Sequence, residues 1–147
     1  MQQTLLPSMG YKPYRIRRIK LWGGREIRFV WGFVPVLVEY KDMHEHWGLA
    51  YTFRIEVERS LNGWEKEITI VHELTHVKQN IIEKLTFGKK RNWWVENELE
   101  AYVESLKIVP PHERDYYIRL MADTMARHLY LDERYALKLL KQKLTDE

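Results

Sequence analysis

The chain of 147 residues contains no cysteine. Disulfides and thiolate metal sites are therefore excluded, and any bound metal has to rest on His, Asp or Glu. It also lacks a long apolar run. No stretch approaches the roughly 20 residues of a membrane span, and Met1 to Tyr14 holds nothing like the apolar core of a signal peptide. These absences lead us to expect a cytoplasmic protein with no membrane contact. Internal repeats and low-complexity linkers are absent too, so a single domain over residues 1–147 is expected.

A hydrophobic share of 45% and an aromatic share of 13% set the chain apart from disordered sequences. The net charge of +3 is mild but unevenly placed. Arg15, Arg17, Arg18, Lys20, Arg25 and Arg28 crowd one N-terminal segment. Such a patch suits an acidic partner or nucleic acid; the plainer reading is a solvated sheet face.

The pattern of apolar residues divides the chain. Tyr14 to Trp22 alternates, Gly23-Gly24 reads as a two-residue hairpin turn, and Arg25 to Trp31 as the returning strand. Phe33 to Tyr40 is a third strand, with Pro35 arguing for an edge or a bulge. Lys41 to Gly48 reads as a loop. Ala50 to Glu58 alternates again, placing Tyr51, Phe53, Ile55 and Val57 on one face. Past the turn Ser60-Leu61-Asn62-Gly63 the period changes. Trp64, Ile68, Val71, Leu74, Ile81 and Leu85 outline an amphipathic helix of about 20 residues, ended by Gly88 and the Lys89-Lys90-Arg91 cluster. A second helix is expected from Asn92 to Lys107, a third from Glu113 to Leu129 after the stop at Pro110-Pro111, and a fourth capped by Asp132. Strands first and helices afterwards indicate an α+β fold, an N-terminal antiparallel sheet followed by a helical C-terminal half.

The first helix contains His72-Glu73-Leu74-Thr75-His76. Residues four apart stand one above the other on a helix face, so two imidazoles at this spacing can grip one metal ion. Glu73, next along, is placed to reach a water on the metal rather than the metal itself. A metal lowers the pKa of such a water, and Glu73 can take its proton as general base. Val71, Leu74 and Val77 are expected on the core face. A catalytic zinc takes three protein ligands and keeps one position open. The third ligand is expected from the second helix, where Glu96, Glu98 and Glu100 compete; successive helical residues diverge by about 100°, so they cannot share the role. His44 and His46 form a weaker pair lacking a third partner.

The motif His72-Glu73-x-x-His76, followed on the next helix by Asn97-Glu98-Leu99-Glu100-Ala101, resembles the gluzincin zinc metallopeptidases, including small ImmA/IrrE-type and minimal thermolysin-like members. The resemblance covers about Tyr51 to Leu106. It implies a zincin-like fold with the motif on the central helix, one zinc ion held by His72, His76 and Glu98, and Glu73 as catalytic base. Glu96 is the alternative third ligand, because the residue four after Glu98, an Asp or Asn in many gluzincins, is Tyr102. The resemblance also implies that an antiparallel edge strand, here Ala50 to Glu58, binds peptide or protein substrate by main-chain pairing. Tyr102, Tyr116, Tyr117, His112 and His128 are candidates to steady the oxyanion.

Three readings follow. A zinc peptidase hydrolysing peptide bonds is the first. A catalytically weak binding module on the same fold is the second. The third adds nucleic-acid contact through the Arg15 to Arg28 hairpin, with precedent in SprT-like proteases. The substrate, its cleavage preference, any need for activation and the oligomeric state stay open.

Overall fold

The computed structural model describes residues 14, 16–87 and 94–146. Within them the strands are β1 (Arg18–Lys20), β2 (Glu26–Val30), β3 (Val34–Lys41), β4 (Gly48–Ala50) and β5 (Arg54–Glu58). The helices are α1 (Gly63–Leu85), α2 (Trp94–Lys107), α3 (Pro111–Leu129) and α4 (Glu133–Asp146). The α+β class stands. The helix start expected at Asn92, the stop at Gly88 to Arg91, and Arg15 of the basic segment lie outside the described residues. None of the described helices is long and apolar enough to cross a membrane.

The described residues fall into two compact units, residues 16–105, and residue 14 together with residues 106–146. The first holds the sheet, α1 and most of α2. Its strand order is β1-β2-β3-β5-β4. The sheet is mixed, not antiparallel throughout as the sequence led us to expect. β5 re-enters between β3 and β4, so it runs parallel to β3 while β4 stays antiparallel to it. The single strand expected over Ala50 to Glu58 is in fact a hairpin. Tyr51 N–H donates to Arg54 C=O at 2.7 Å, leaving Thr52-Phe53 as a two-residue turn. Neither turn residue is Gly, Asn or Asp, so the alternation runs through the turn without a break. Tyr51 and Phe53 consequently stay exposed and do not join Ile55 and Val57 in the core. β4, not β5, is the edge.

Two further corrections concern the N-terminal hairpin. The Gly23-Gly24 turn is wider than two residues: Leu21 N–H bonds Arg25 C=O across a short 3-10 turn. Both glycines take positive φ, 74° and 75°, which a side chain would resist. Arg28 leaves the basic patch altogether. It is 2% exposed and bridges Glu26 on its own strand to Glu67 on α1, at 2.9 and 3.0 Å. Pro35 is tolerated because β5 pairs with β3 only from Leu37 onward, so Pro35 has a neighbour on the β2 side alone.

The core of this unit lies between sheet and helix. Val30, Val36, Val38, Ile55 and Val57 meet Ile70, Leu74 and Val77 of α1. Each such side chain contributes about 1.5–3 kcal/mol when fully buried. Ile70 takes the place expected of Val71, because positions 70, 74 and 77 form the i, i+4, i+7 stripe and residue 71 is turned about 100° from it.

In the second unit α3 and α4 pack on each other. α3 starts at Pro111, two residues earlier than expected. Proline at a helix's first position sacrifices no hydrogen bond, so Pro110-Pro111 opens α3 as well as ending α2. Tyr130 closes it in the left-handed region, and Asp132 Oδ1 accepts the Arg134 and Tyr135 N–H groups at 2.9 and 3.3 Å, the expected cap of α4.

Candidate metal centre

Three stripes of α1 have three different jobs, all within the first unit. Ile70, Leu74 and Val77 face the sheet. Thr69 and Glu73 face the edge strand β4 at Gly48. His72, His76 and Gln79 face α2. The separation follows from the 100° step between helical residues.

On the α2 side, His72, His76 and Glu98 present one donor atom each, all within 4.8 Å of one another. Glu98 Oε2 lies 3.2 Å from His72 Nε2, and Oε1 lies 3.1 Å from His76 Nε2. The two Nε2 atoms are 3.2 Å apart. Two imidazole nitrogens and a carboxylate aimed at one point form a donor set that could hold a metal ion. The other glutamates of α2 are elsewhere. Glu96 is exposed at the start of the helix, and Glu100 accepts a hydrogen bond from Gln79 Nε2 at 2.7 Å. Among the described residues no other His, Asp and Glu group could hold a metal, so His44 and His46 do not make a second site.

The charges agree with a cation site. Burial works against ionisation of Glu98, but the hydrogen bonds from His72 and His76 outweigh it and hold the carboxyl far below its usual range. Burial also disfavours the charged form of His76, and its contact with Glu98 overcomes that, raising its pKa. The cluster stabilises positive charge at its centre.

Gln79 escaped the sequence reading and has a clear part. Its Nε2 donates to Asn97 C=O at 3.0 Å and to Glu100, so its Oε1 is left as an acceptor, 2.8 Å from His76 Nδ1. His76 Nδ1 must then carry a proton, so Nε2 is the ring nitrogen that meets Glu98 and His72 and the one that would give its lone pair to a metal. The signal was present in the i+3 spacing from His76. Its meaning needed α2 to supply the two acceptors. Tyr102 packs its ring on His72, centroids 4.5 Å apart, rather than acting as a carboxylate would. Burial first, then Glu98 and Glu73, push its phenol well above its usual pKa. The remaining oxyanion candidates, His112, Tyr116, Tyr117 and His128, belong to α3 in the other unit.

Glu73 itself is 8% exposed. Desolvation raises its pKa, assisted by Glu98; His72, His76 and, least, His46 pull it back. The edge strand presses against it. A Cβ on Gly48 would lie 2.8 Å from Glu73 Cγ and 3.0 Å from Oε2. Glycine stands there because no side chain fits between the strand and the carboxylate.

β4 offers main-chain groups at the same place. Glu58 N–H donates to Trp47 C=O and Tyr51 N–H to Arg54 C=O, both at 2.7 Å. Residues 47 and 51 thus turn their polar groups towards β5, and by alternation Gly48 and Ala50 turn theirs to the open edge. The loop before β4 is anchored by Glu58, whose carboxylate accepts Met43 N–H at 2.7 Å and both the N–H and hydroxyl of Ser60. Those hydrogen bonds lower its pKa to about 2.

No family model matches this chain, and neither a curated protein nor a solved structure matches it. The functional reading therefore rests on the residues themselves.

Proposed function

We propose that the chain is a zinc-dependent peptidase of the gluzincin type, with a zincin-like fold and Glu73 as general base. The observation that carries the reading is the meeting of two things at α1: a donor set in which its His72 and His76 are joined by Glu98 of α2, and beside it a buried carboxylate wedged under an edge strand. Two imidazoles, a single carboxylate and no thiolate suit a catalytic zinc with one position left open. When bound, the ion supplies Lewis acidity, polarising a carbonyl and making water a nucleophile near neutral pH.

The rest is done by this chain. Gly48 and Ala50 bind an extended peptide backbone through their outward N–H and C=O groups, a mode that asks little of the substrate's side chains. The absence of a side chain at Gly48 lets that backbone approach Glu73. Glu73 accepts the proton of the attacking water and passes it to the leaving amine nitrogen. Gln79 holds His76 in one tautomer.

Metal analysis combined with hydrolysis of a peptide library tests the proposal. Wild-type protein is expected to keep about one zinc per chain after dialysis, and His76→Ala to lose it. Glu73→Gln should keep the metal and lose roughly 10²–10⁴-fold in rate. Metal-loaded Glu73→Gln with undiminished hydrolysis overturns the assigned role, and wild-type protein that takes up no zinc overturns the reading entirely.

A further inference from the structure

The hairpin β1–β2 lies at the far edge of the sheet from β4 and plays no part in the chemistry above. Its charge is one-sided. Between residues 16 and 38 the only acid is Glu26, which is buried and paired with Arg28. Arg17, Arg18, Lys20 and Arg25 are all exposed, and among the described residues none of the four has a carboxylate within ion-pair distance. Solvated lysines and arginines are ordinary; four together without one exposed acid are less so.

Aromatic rings accompany them at both ends. Trp22 stands at the β1–β2 turn with 91% of its surface exposed, held there by a turn in which Arg25 Nε donates to Trp22 C=O. At the opposite end of β2, Trp31 and Phe33 are 43% and 74% exposed. Arg17 reaches that end, its guanidinium 4.2 Å from the Phe29 ring centroid and hydrogen-bonded to Gly32 C=O. The two aromatic ends are separated by the five residues of β2, about 17 Å at strand rise. Rings at both ends of β2, with cations along the neighbouring β1 and at the turn, match an extended polyanion whose repeating units carry flat faces.

We propose that the β1–β2 hairpin binds single-stranded nucleic acid, with Arg17, Arg18, Lys20 and Arg25 on the phosphates and Trp22 stacked on a base. Stacking tolerates any base, so binding is expected to be largely indifferent to sequence. Up to four released counterions set the slope of log affinity against log salt at no steeper than about −3.

The test is fluorescence anisotropy of a labelled single-stranded 20-mer against the full-length protein over a range of salt. Binding should weaken with salt at a slope of about −2 to −3. The Arg17→Ser/Arg18→Ser/Lys20→Ser/Arg25→Ser variant should flatten it, and Trp22→Ala should weaken affinity about five- to a hundredfold. All five positions are exposed, and an unchanged melting temperature will show that the variants fold. Glu73→Gln should bind as wild type does, which separates this surface from the hydrolytic reading. No binding at low salt, equal binding by the quadruple variant, or a preference for anionic vesicles with blue-shifted tryptophan emission would each overturn the proposal.

Discussion

Gly48→Ala is the sharpest perturbation available, because one methyl group reports on the contact between the edge strand and Glu73, the proposed general base. The added Cβ would meet Glu73 Cγ at 2.8 Å, Glu73 Oε2 at 3.0 Å and Thr69 Cγ2 at 3.0 Å. Carbon atoms in comfortable contact sit about 3.5–4.0 Å apart, so the overlap is about 0.5–1 Å and something must move. Glu73 cannot swing into solvent, since it is buried and belongs to a packed helix. Its carboxylate is therefore displaced by a comparable distance, and a 1 Å error in a reacting group can cost about a hundredfold in rate. Overpacking costs about 1–3 kcal/mol. Removing a glycine from the unfolded chain offsets about 0.4–1 kcal/mol of that. The net loss is about 1–2 kcal/mol, a fall in melting temperature of roughly 3–6 °C for a chain of this size. Metal content should not change, because Glu73 is not among the donors. Adding Thr69→Ser removes one of the close contacts while keeping the hydroxyl's bond to Glu65 C=O, and should recover part of both losses. The assays are peptide hydrolysis, thermal unfolding and elemental analysis on the same preparations. Wild-type rate and wild-type stability in Gly48→Ala would refute the argument that the strand holds Glu73 in place.

Gln79→Ala should weaken metal binding about tenfold to a hundredfold by releasing His76 from its tautomer, measured by competition with a chelator; unchanged affinity would remove Gln79 from the site. Arg28→Met strands the buried Glu26 and Glu67 carboxylates and should cost about 3 kcal/mol in denaturant unfolding, whereas a loss below 1 kcal/mol would mean the network is solvated. Acid stability should follow Glu26. Burial favours its neutral form, but the hydrogen bonds from Tyr40 and Arg28 prevail and lower its pKa below the ordinary 4.5. A group lowered on folding stabilises above its unfolded pKa, so this contribution is whole above about pH 5 and is lost as the pH falls further. Glu26→Gln should therefore show a flatter acid limb in unfolding free energy, and an acid limb as steep as wild type would count against it.

The candidate site was legible wherever its logic is local. His72, Glu73 and His76 lie on one helix, so helical geometry alone joins the two imidazoles and sets the carboxylate apart from them. Glu98 was harder. Its competition with Glu96 turns on the angle at which α2 meets α1, which no spacing along one helix encodes. Gln79 was missed for the same reason: a glutamine three residues after a histidine means little until Asn97 and Glu100 arrive to bind its amide nitrogen. The fold divides in the same way. Apolar period marked α1, the stop at Pro110-Pro111 set the start of α3 to within two residues, and Asp132 marked where α4 begins. The period failed at Thr52-Phe53, where a hairpin turns without turn residues, and it counted β4 and β5 as one strand.

Sequence by itself determined which side chains exist to do chemistry here. It put two imidazoles one helical turn apart with a carboxylate next to the first, left thiolates out, and gathered cations ahead of the first turn. Those are properties of order along the chain and of local backbone geometry. Tertiary structure decided the rest: that β5 slips between β3 and β4, that Arg28 is buried in an ion pair rather than offered to a partner, that Gly48 comes to rest on Glu73, and that Glu98 closes the donor set. Each of these depends on contacts between segments far apart in sequence, whose energies come from packing and desolvation and leave no period to read.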